Sequence, residues 1–166
     1  MLKQRTSELI RHLMSRNLKI AFAESVTCGY LTHQLSTAKG TSDVLEGSVI
    51  CYNEEVKKSL LGISPAMLKK HTAESQRVTD EMARKLSRLI KADIYVAVTG
   101  LATDGGSETK TKPVGTVFIT VFVRKKLFRL RKRYYGKPLD IKKKATADTF
   151  YLLLKILKSN FNTYKK

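Results

Sequence analysis

A serine and a lysine each follow a short apolar run of strand length. Ser25 comes directly after the run 19–24, and Lys57 comes shortly after the run 47–52. A serine nucleophile needs a base to take its proton, and a lysine whose pKa is lowered by burial or by neighbouring cations can be that base. If both runs are strands of one parallel sheet, the two residues lie beyond the edge where ligands bind in open α/β sheets. This arrangement indicates acyl-transfer chemistry.

Other interpretations of these residues stay open. A serine between a strand and a helix is also a typical helix N-cap, and a helical lysine is more often a surface residue. Cys28 is a rival nucleophile, although we expect it about one turn into the helix and buried as a small apolar side chain. The three histidines support no Ser-His-Asp arrangement.

A glycine-rich stretch, TGLATDGGSETKTKPVG, covers residues 99–115 and contains few apolar residues. We interpret it as a long loop, and loops of more than about 12 residues in compact domains are usually functional or disordered. It lacks the lysine of a phosphate-binding P-loop, and a strand rather than a helix follows it, so that function is excluded. Its glycines would let the backbone approach a ligand or cross the end of the sheet. Lys110 and Lys112 are candidates to supply positive charge to an anionic ligand, although loop lysines are more often simply solvated.

The elements that position these residues follow from apolar periodicity. Helices are predicted over 4–16, from about Tyr30 onward with Ser or Thr at its start, around 56–61 with Gly62 at its end, and over 65–70. A longer helix is predicted after a cap at Thr79 or Asp80, and its core-facing residues are Met82, Leu86, Leu89 and Ile90. The residues predicted to line a final helix are Ile141, Ala145, Phe150, Leu153, Leu154 and Leu157. Buried strands are predicted over 19–24, 47–52, 94–98 and 116–123, and an edge strand over 127–135. Alternating helices and strands favour one three-layer α/β/α domain over residues 1–166, with a mixed, mainly parallel sheet.

Composition restricts the class of protein. The 166 residues are 42% hydrophobic and 28% charged, which is typical of a globular domain and excludes a disordered or fibrous chain. No apolar run approaches the roughly 20 residues that span a bilayer, and the N-terminus is too charged for a signal peptide, so we expect a cytoplasmic protein without a membrane partner. Cys28 and Cys51 match no metal-binding spacing, and we expect both to be reduced.

Charge is the outlying number, because the net charge is +18. Such an excess first suggests nucleic acid or another polyanion. However, the segment from Arg124 onward contains 15 Lys and Arg and only 2 Asp and Glu. Residues 1–123 contain 17 Lys and Arg and 12 Asp and Glu. The basic segment therefore flanks the part of the chain that carries the candidate site.

Several motifs, in order and with matching spacing, resemble the C-terminal domain of the CinA, or competence/damage-inducible, family. They are AESVTCG (23–29), ICYNEEVK (50–57), LLGIS (60–64), HTAES (71–75), VTDEMARKL (78–86) and AVTGLATDGGSETKTKPVGTV (97–117). The corresponding family patterns are AESCTGG, TYSNEAK, LLGV, HGAVS and VTGIAGPGGGTxxKPVGTV. The similarity covers about residues 8–157.

The resemblance implies a nicotinamide-nucleotide amidase of the stand-alone form, which hydrolyses nicotinamide mononucleotide to nicotinate mononucleotide and ammonia without a cofactor or metal. It implies Ser25 as nucleophile, Lys57 as general base and later proton donor, and Tyr52 as the residue that orients them. The resemblance implies that seven further residues bind substrate: Thr27, Thr99, Gly100, Gly105, Gly106, Lys112 and Lys142. Of these, Lys142 stands in place of a family arginine near the substrate phosphate.

The chain also departs from the family patterns. Cys28 replaces a glycine, Asn53-Glu54 replaces a Ser-Asn pair, and the glycine-rich loop lacks a proline. Three functions therefore stay open: the amidase, an amidase with a different amide substrate, and an impaired member that binds nucleic acid or another anionic partner through its basic segment. Self-association into a homo-oligomer is open as well.

Overall fold

The computed structural model describes residues 2–160, with five strands and six helices. The strands are β1 Ile20–Glu24, β2 Leu45–Ile50, β3 Ile94–Gly100, β4 Thr116–Val123 and β5 Lys126–Arg133. The helices are α1 Leu2–Met14, α2 Tyr30–Ser36, α3 Glu54–Ser59, α4 Pro65–His71, α5 Gln76–Leu89 and α6 Pro138–Asn160.

The strands form one mixed sheet in the order β2-β1-β3-β4-β5. β1 pairs in parallel with both β2 and β3, whereas β4 is antiparallel to its two neighbours. Four of the five strands therefore run in the same direction, as the sequence predicts. Because Glu24 pairs with both Ile50 and Val98, the carboxyl ends of β1, β2 and β3 meet at one edge of the sheet.

Helices cover both faces of the sheet, which confirms the three-layer α/β/α prediction. Alternate residues of β1 separate the two cores: Ile20 and Phe22 pack with α1, α2 and α6, whereas Ala21 and Ala23 pack with α4 and α5. The six apolar residues predicted to line the final helix are all buried. The small alanines let α5 approach the sheet closely, and α5 contacts β1, β3 and β4.

Three details of the predicted elements are wrong. The strand predicted as buried over 47–52 is β2, which ends at Ile50. It is partly exposed because it lies at the edge of the sheet and has a neighbour on one side only. α5 begins at Gln76, where the Ser75 hydroxyl accepts the Val78 N–H, so neither Thr79 nor Asp80 caps it. Leu89 was predicted to face the core, but it lies in the last turn of α5 and is 47% exposed.

Candidate active site

The turn after β1 and the helix after β2 bring Ser25 and Lys57 together. Ser25 lies at the end of β1, where its N–H donates to the Val98 carbonyl at 2.9 Å. Lys57 is on α3, which Asn53 starts by accepting the Glu55 N–H. The Lys57 side chain is fully buried, and its Nζ lies 3.1 Å from Ser25 Oγ. Lys57 is therefore no surface residue.

Two further contacts define the surroundings of the Lys57 amine. Its Nζ lies 2.8 Å from the Cys51 carbonyl oxygen and 3.2 Å from the Tyr52 carbonyl oxygen. Burial lowers the pKa of Lys57, and this effect outweighs the opposite electrostatic influence of Cys51, Glu74 and Glu54. Burial also raises the pKa of the Cys51 thiol to about 11, so the neighbouring sulfur stays protonated at neutral pH.

The side chain of Glu24, not Ser25 or Thr27, caps helix α2. Glu24 is fully buried, and its carboxylate accepts the N–H groups of Gly29, Leu31 and Thr32 together with the Thr32 hydroxyl. The prediction of a Ser or Thr cap is thus wrong, because the Glu24 carboxylate accepts the free N–H groups at the start of the helix. This capping also holds the turn that carries Ser25.

The backbone of that turn has unused donors. The N–H groups of Val26 and Thr27 donate to no acceptor within residues 2–160, and the buried Thr27 hydroxyl likewise has no partner there. Cys28 adopts a positive φ of 50° and is exposed, which corrects the expectation of a buried cysteine inside the helix. A left-handed backbone at Cys28 and Gly29 ends the turn just before α2 begins.

A cavity of about 270 Å³ opens beside Ser25. Tyr52 lines it, although its ring is 65% exposed and only its carbonyl oxygen contacts Lys57. The other walls are Glu74, the loop after β3, and the start of α6; the lining residues are Ser25, Val26, Tyr52, Glu74, Gly100, Leu101, Ala102, Thr103, Asp104, Gly105, Gly106, Pro138 and Lys142. The cavity thus brings together six of the ten predicted site residues.

Gly100 occupies a position where a side chain does not fit against the backbone, and a side chain at Gly106 would require Leu101 to shift. A Cβ at Gly100 would lie 2.5 Å from the Thr116 carbonyl oxygen, and a Cβ at Gly106 would lie 2.7 Å from a methyl carbon of Leu101. Gly105 has a φ of 87°, which favours glycine, but open space surrounds it. The glycines therefore shape the cavity wall through close backbone packing as well as turn conformation.

Four predicted site residues lie outside the cavity lining. The buried Thr99 hydroxyl pairs with the Thr79 hydroxyl at 2.7 Å, and Thr27 is buried beneath the turn. Lys57 does not line the cavity, but its Nζ contacts Ser25, which does. Lys112 Nζ donates to the Thr72 hydroxyl, to the Glu74 carbonyl and to the Ser107 hydroxyl.

Sequence reasoning missed Glu24 and Glu74. A signal for Glu24 was present, because a carboxylate that ends a fully apolar strand must find hydrogen-bond partners. Glu74 accepts a hydrogen bond from the Ser107 hydroxyl, a contact that spans 33 residues of sequence and leaves no local signal. Within residues 2–160, no group of three His, Cys, Asp or Glu side chains forms a candidate metal site.

No helix in the described part of the chain is long and apolar enough to cross a membrane.

The chain is similar in sequence to curated proteins of other organisms. A CinA-like protein from Mycobacterium avium is 37% identical over 158 residues, which are 92% of this chain and 36% of the relative. A CinA-like protein from Thermotoga neapolitana is 42% identical over 120 residues, which are 72% of this chain and 29% of the relative. The chain therefore spans about a third of the length of the curated relatives that it matches.

Solved structures match over nearly the whole chain. The crystal structure of a competence or damage-inducible protein from Enterobacter asburiae superposes with a TM-score of 0.89 at 27% identity, and the match covers 95% of this chain and 98% of that one. A CinA superfamily protein from Escherichia coli gives a TM-score of 0.88 at 25% identity, covering 94% and 90%. The family model described as the CinA C-terminal domain matches residues 2–157, and the chain therefore belongs to that family.

Proposed function

We propose that the protein is an amidase that hydrolyses nicotinamide mononucleotide to nicotinate mononucleotide and ammonia. The observation that carries the proposal is the set of three contacts around Lys57 Nζ. Two partners are carbonyl oxygens, which only accept hydrogen bonds. A neutral amine gives its two hydrogens to them and keeps its lone pair for the hydroxyl proton of Ser25.

The reaction follows from that arrangement. Lys57 takes the proton of Ser25 Oγ while the oxygen attacks the carboxamide carbon of the substrate. The N–H groups of Val26 and Thr27 stabilise the oxyanion that forms. Lys57 then protonates the departing nitrogen, so ammonia leaves and an ester to Ser25 remains. Lys57 then takes a proton from water as the water oxygen attacks the ester, and it returns this proton to Ser25 Oγ as the C–O bond breaks and the carboxylate product leaves.

The rest of the cavity suits a phosphorylated amide. Lys142 supplies positive charge at the start of α6, on the wall that Pro138 also lines. A lysine there attracts a phosphate as a point charge and without the bidentate geometry of an arginine. Tyr52 offers an exposed aromatic surface at the mouth of the cavity.

The test is ammonia release from nicotinamide mononucleotide. We expect Ser25→Ala and Lys57→Met each to reduce kcat by at least about a thousandfold, because nucleophile and base act as a unit. Lys58→Met is the matched control, since Lys58 is the next residue of α3 and pairs at the surface with Glu55. Turnover near the wild-type rate in Lys57→Met, or equal losses in both lysine variants, would contradict the mechanism.

The second candidate function is binding of a polyanion through β5, which has five Lys and Arg among eight residues. Three of these cations have hydrogen-bond or ion-pair partners: Arg129 contacts Asp80 and Lys132 contacts Asp148, both at 2.8 Å, and Arg131 donates to the Thr111 carbonyl. These contacts favour a structural role for the strand. Salt-sensitive oligonucleotide binding together with no ammonia release from any nicotinamide or nucleotide amide would favour the second function instead.

A further inference from the structure

The cavity wall contains a carboxylate whose position a chain of hydrogen bonds determines. Lys112 Nζ lies 2.8 Å from Thr72 Oγ1, 3.0 Å from the Glu74 carbonyl oxygen and 2.6 Å from Ser107 Oγ. An ammonium group has three hydrogens and accepts none, so all three are engaged. Ser107 therefore accepts from Lys112 and gives its own proton to Oε2 of Glu74.

This chain of contacts makes the Glu74 carboxylate a hydrogen-bond acceptor. Its second carboxylate oxygen, Oε1, accepts no hydrogen bond within residues 2–160, although Glu74 lines the cavity. Lys112 forms no salt bridge with the carboxylate within that range, and the two groups interact through Ser107 and by electrostatic attraction. The Oε1 atom of Glu74 is thus available to a ligand.

Glu74 lines the same cavity as Ser25. Its charge also acts on Lys57, the partner of Ser25, whereas the other acidic residue of the lining, Asp104, belongs to the exposed part of the loop. Lys142 lines the same cavity from α6. A ligand whose amide meets Ser25 therefore places its amide-bearing ring near a carboxylate and has a cation available for its phosphate.

We propose that Glu74 determines specificity for a substrate whose amide-bearing ring is positively charged, which makes the preferred ligand a zwitterion with a cationic pyridinium ring and an anionic phosphate. The inference rests on the proposed amidase function and goes further by selecting among nucleotide amides. The family pattern HGAVS has a valine where this chain has Glu74, so the carboxylate is a departure of this chain from that pattern.

The test uses two ligands that differ in ring charge and share the phosphate. They are nicotinamide mononucleotide, whose ring is cationic, and its reduced dihydropyridine form, whose ring is neutral. Dissociation constants are measured by calorimetry in a Ser25→Ala background, where no turnover interferes. We expect Glu74→Gln to weaken binding of the cationic ligand about tenfold and to leave the neutral one within about twofold, because a nearby opposite charge is lost.

Three variants supply the controls. Asp104→Asn should leave the preference unchanged, and Lys142→Gln should weaken both ligands alike, because both carry the phosphate. Ser107→Ala removes the hydroxyl link but keeps the carboxylate, so the preference for the cationic ring should persist. Equal weakening of both ligands in Glu74→Gln, no weakening, or loss of the preference in Ser107→Ala would overturn the inference.

Failure of the proposed function has a separate readout. Wild-type protein that releases no ammonia from nicotinamide mononucleotide refutes the amidase, whatever the binding constants show. Wild-type turnover combined with an unchanged ring preference in Glu74→Gln refutes only the role of Glu74. The melting temperature of each variant, compared with that of the parent, checks that the fold is retained.

Discussion

Lys57 combines two properties that a surface lysine lacks: complete burial and contact with a hydroxyl that needs a base. Burial disfavours the ammonium form, and the two carbonyl contacts orient the amine. The role that we propose for Lys57 therefore depends on the surroundings that the fold creates and not on residue type. Lys58, the adjacent residue, is half-exposed at the surface and has its pKa raised by the hydrogen bond with Glu55.

The lowered pKa of Lys57 predicts how activity depends on pH. The base must be neutral, so kcat/KM should rise with pH and level off above the pKa of Lys57, with the midpoint below the ordinary lysine value of 10.5. The measurement is the rate of ammonia release across neutral and alkaline pH. Lys58→Met should leave the midpoint unchanged. A rate that falls as pH rises through this range would show that a protonated group, not a neutral Lys57, is required.

At the scale of elements, the first strand and the helix after it are connected by one buried carboxylate. Glu24 satisfies three backbone donors at the start of α2 and lies next to Ser25 in sequence. The same side chain thus stabilises the helix and maintains the shape of the turn. A helix of seven residues would be marginal without such a contact.

Replacing this carboxylate should therefore affect both stability and activity. Glu24→Gln places an amide NH2 group among donors, and we expect it to lower the free energy of unfolding by about 1–3 kcal/mol. Urea denaturation measures the loss, and the ammonia assay should show a reduced kcat. Glu46→Gln is the control, because its surface contact with Lys19 at 3.7 Å contributes at most about 1 kcal/mol. Similar stabilities for the two variants would contradict the role of Glu24.

Elements whose limits depend on local residues could be predicted from the sequence. Pro65 starts α4 and the apolar run 94–98 lies within β3, because a proline at a helix start and a buried strand have strong local signals. The start of α5 was misplaced because Thr79 pairs with Thr99 across the α5–β3 contact instead of capping the helix. A hydroxyl has several competing partners, and only the packed structure selects one.

At the scale of the whole molecule, the sheet direction was predictable and much of the site was not. Apolar strands alternating with helices imply parallel neighbours, which places the ends of β1 and β2 together. The contact between Glu74 and Ser107 depends on how a long loop folds back over the sheet edge. The pattern of apolar and polar residues over a short stretch of sequence does not indicate such a contact.

The net charge of +18 predicts a salt effect on substrate capture. Nicotinamide mononucleotide has a net negative charge, so kcat/KM should fall as ionic strength rises, because salt screens the long-range attraction. The same ring and ribose without the phosphate carry a net positive charge, and the inhibition constant of that compound should decrease or stay constant with added salt. The two ligands are compared in one salt series. A parallel weakening of both would point to a general effect of salt on the fold.

The two cysteines of the chain differ in a way that is useful to the experimenter. Cys51 is buried with a pKa of about 11, whereas Cys28 is exposed on the turn three residues after Ser25. A maleimide reagent therefore finds a single accessible thiol in the native protein. A fluorophore attached there would lie on the same turn as Ser25, and its emission would be a direct test of ligand binding in the cavity without any engineered residue.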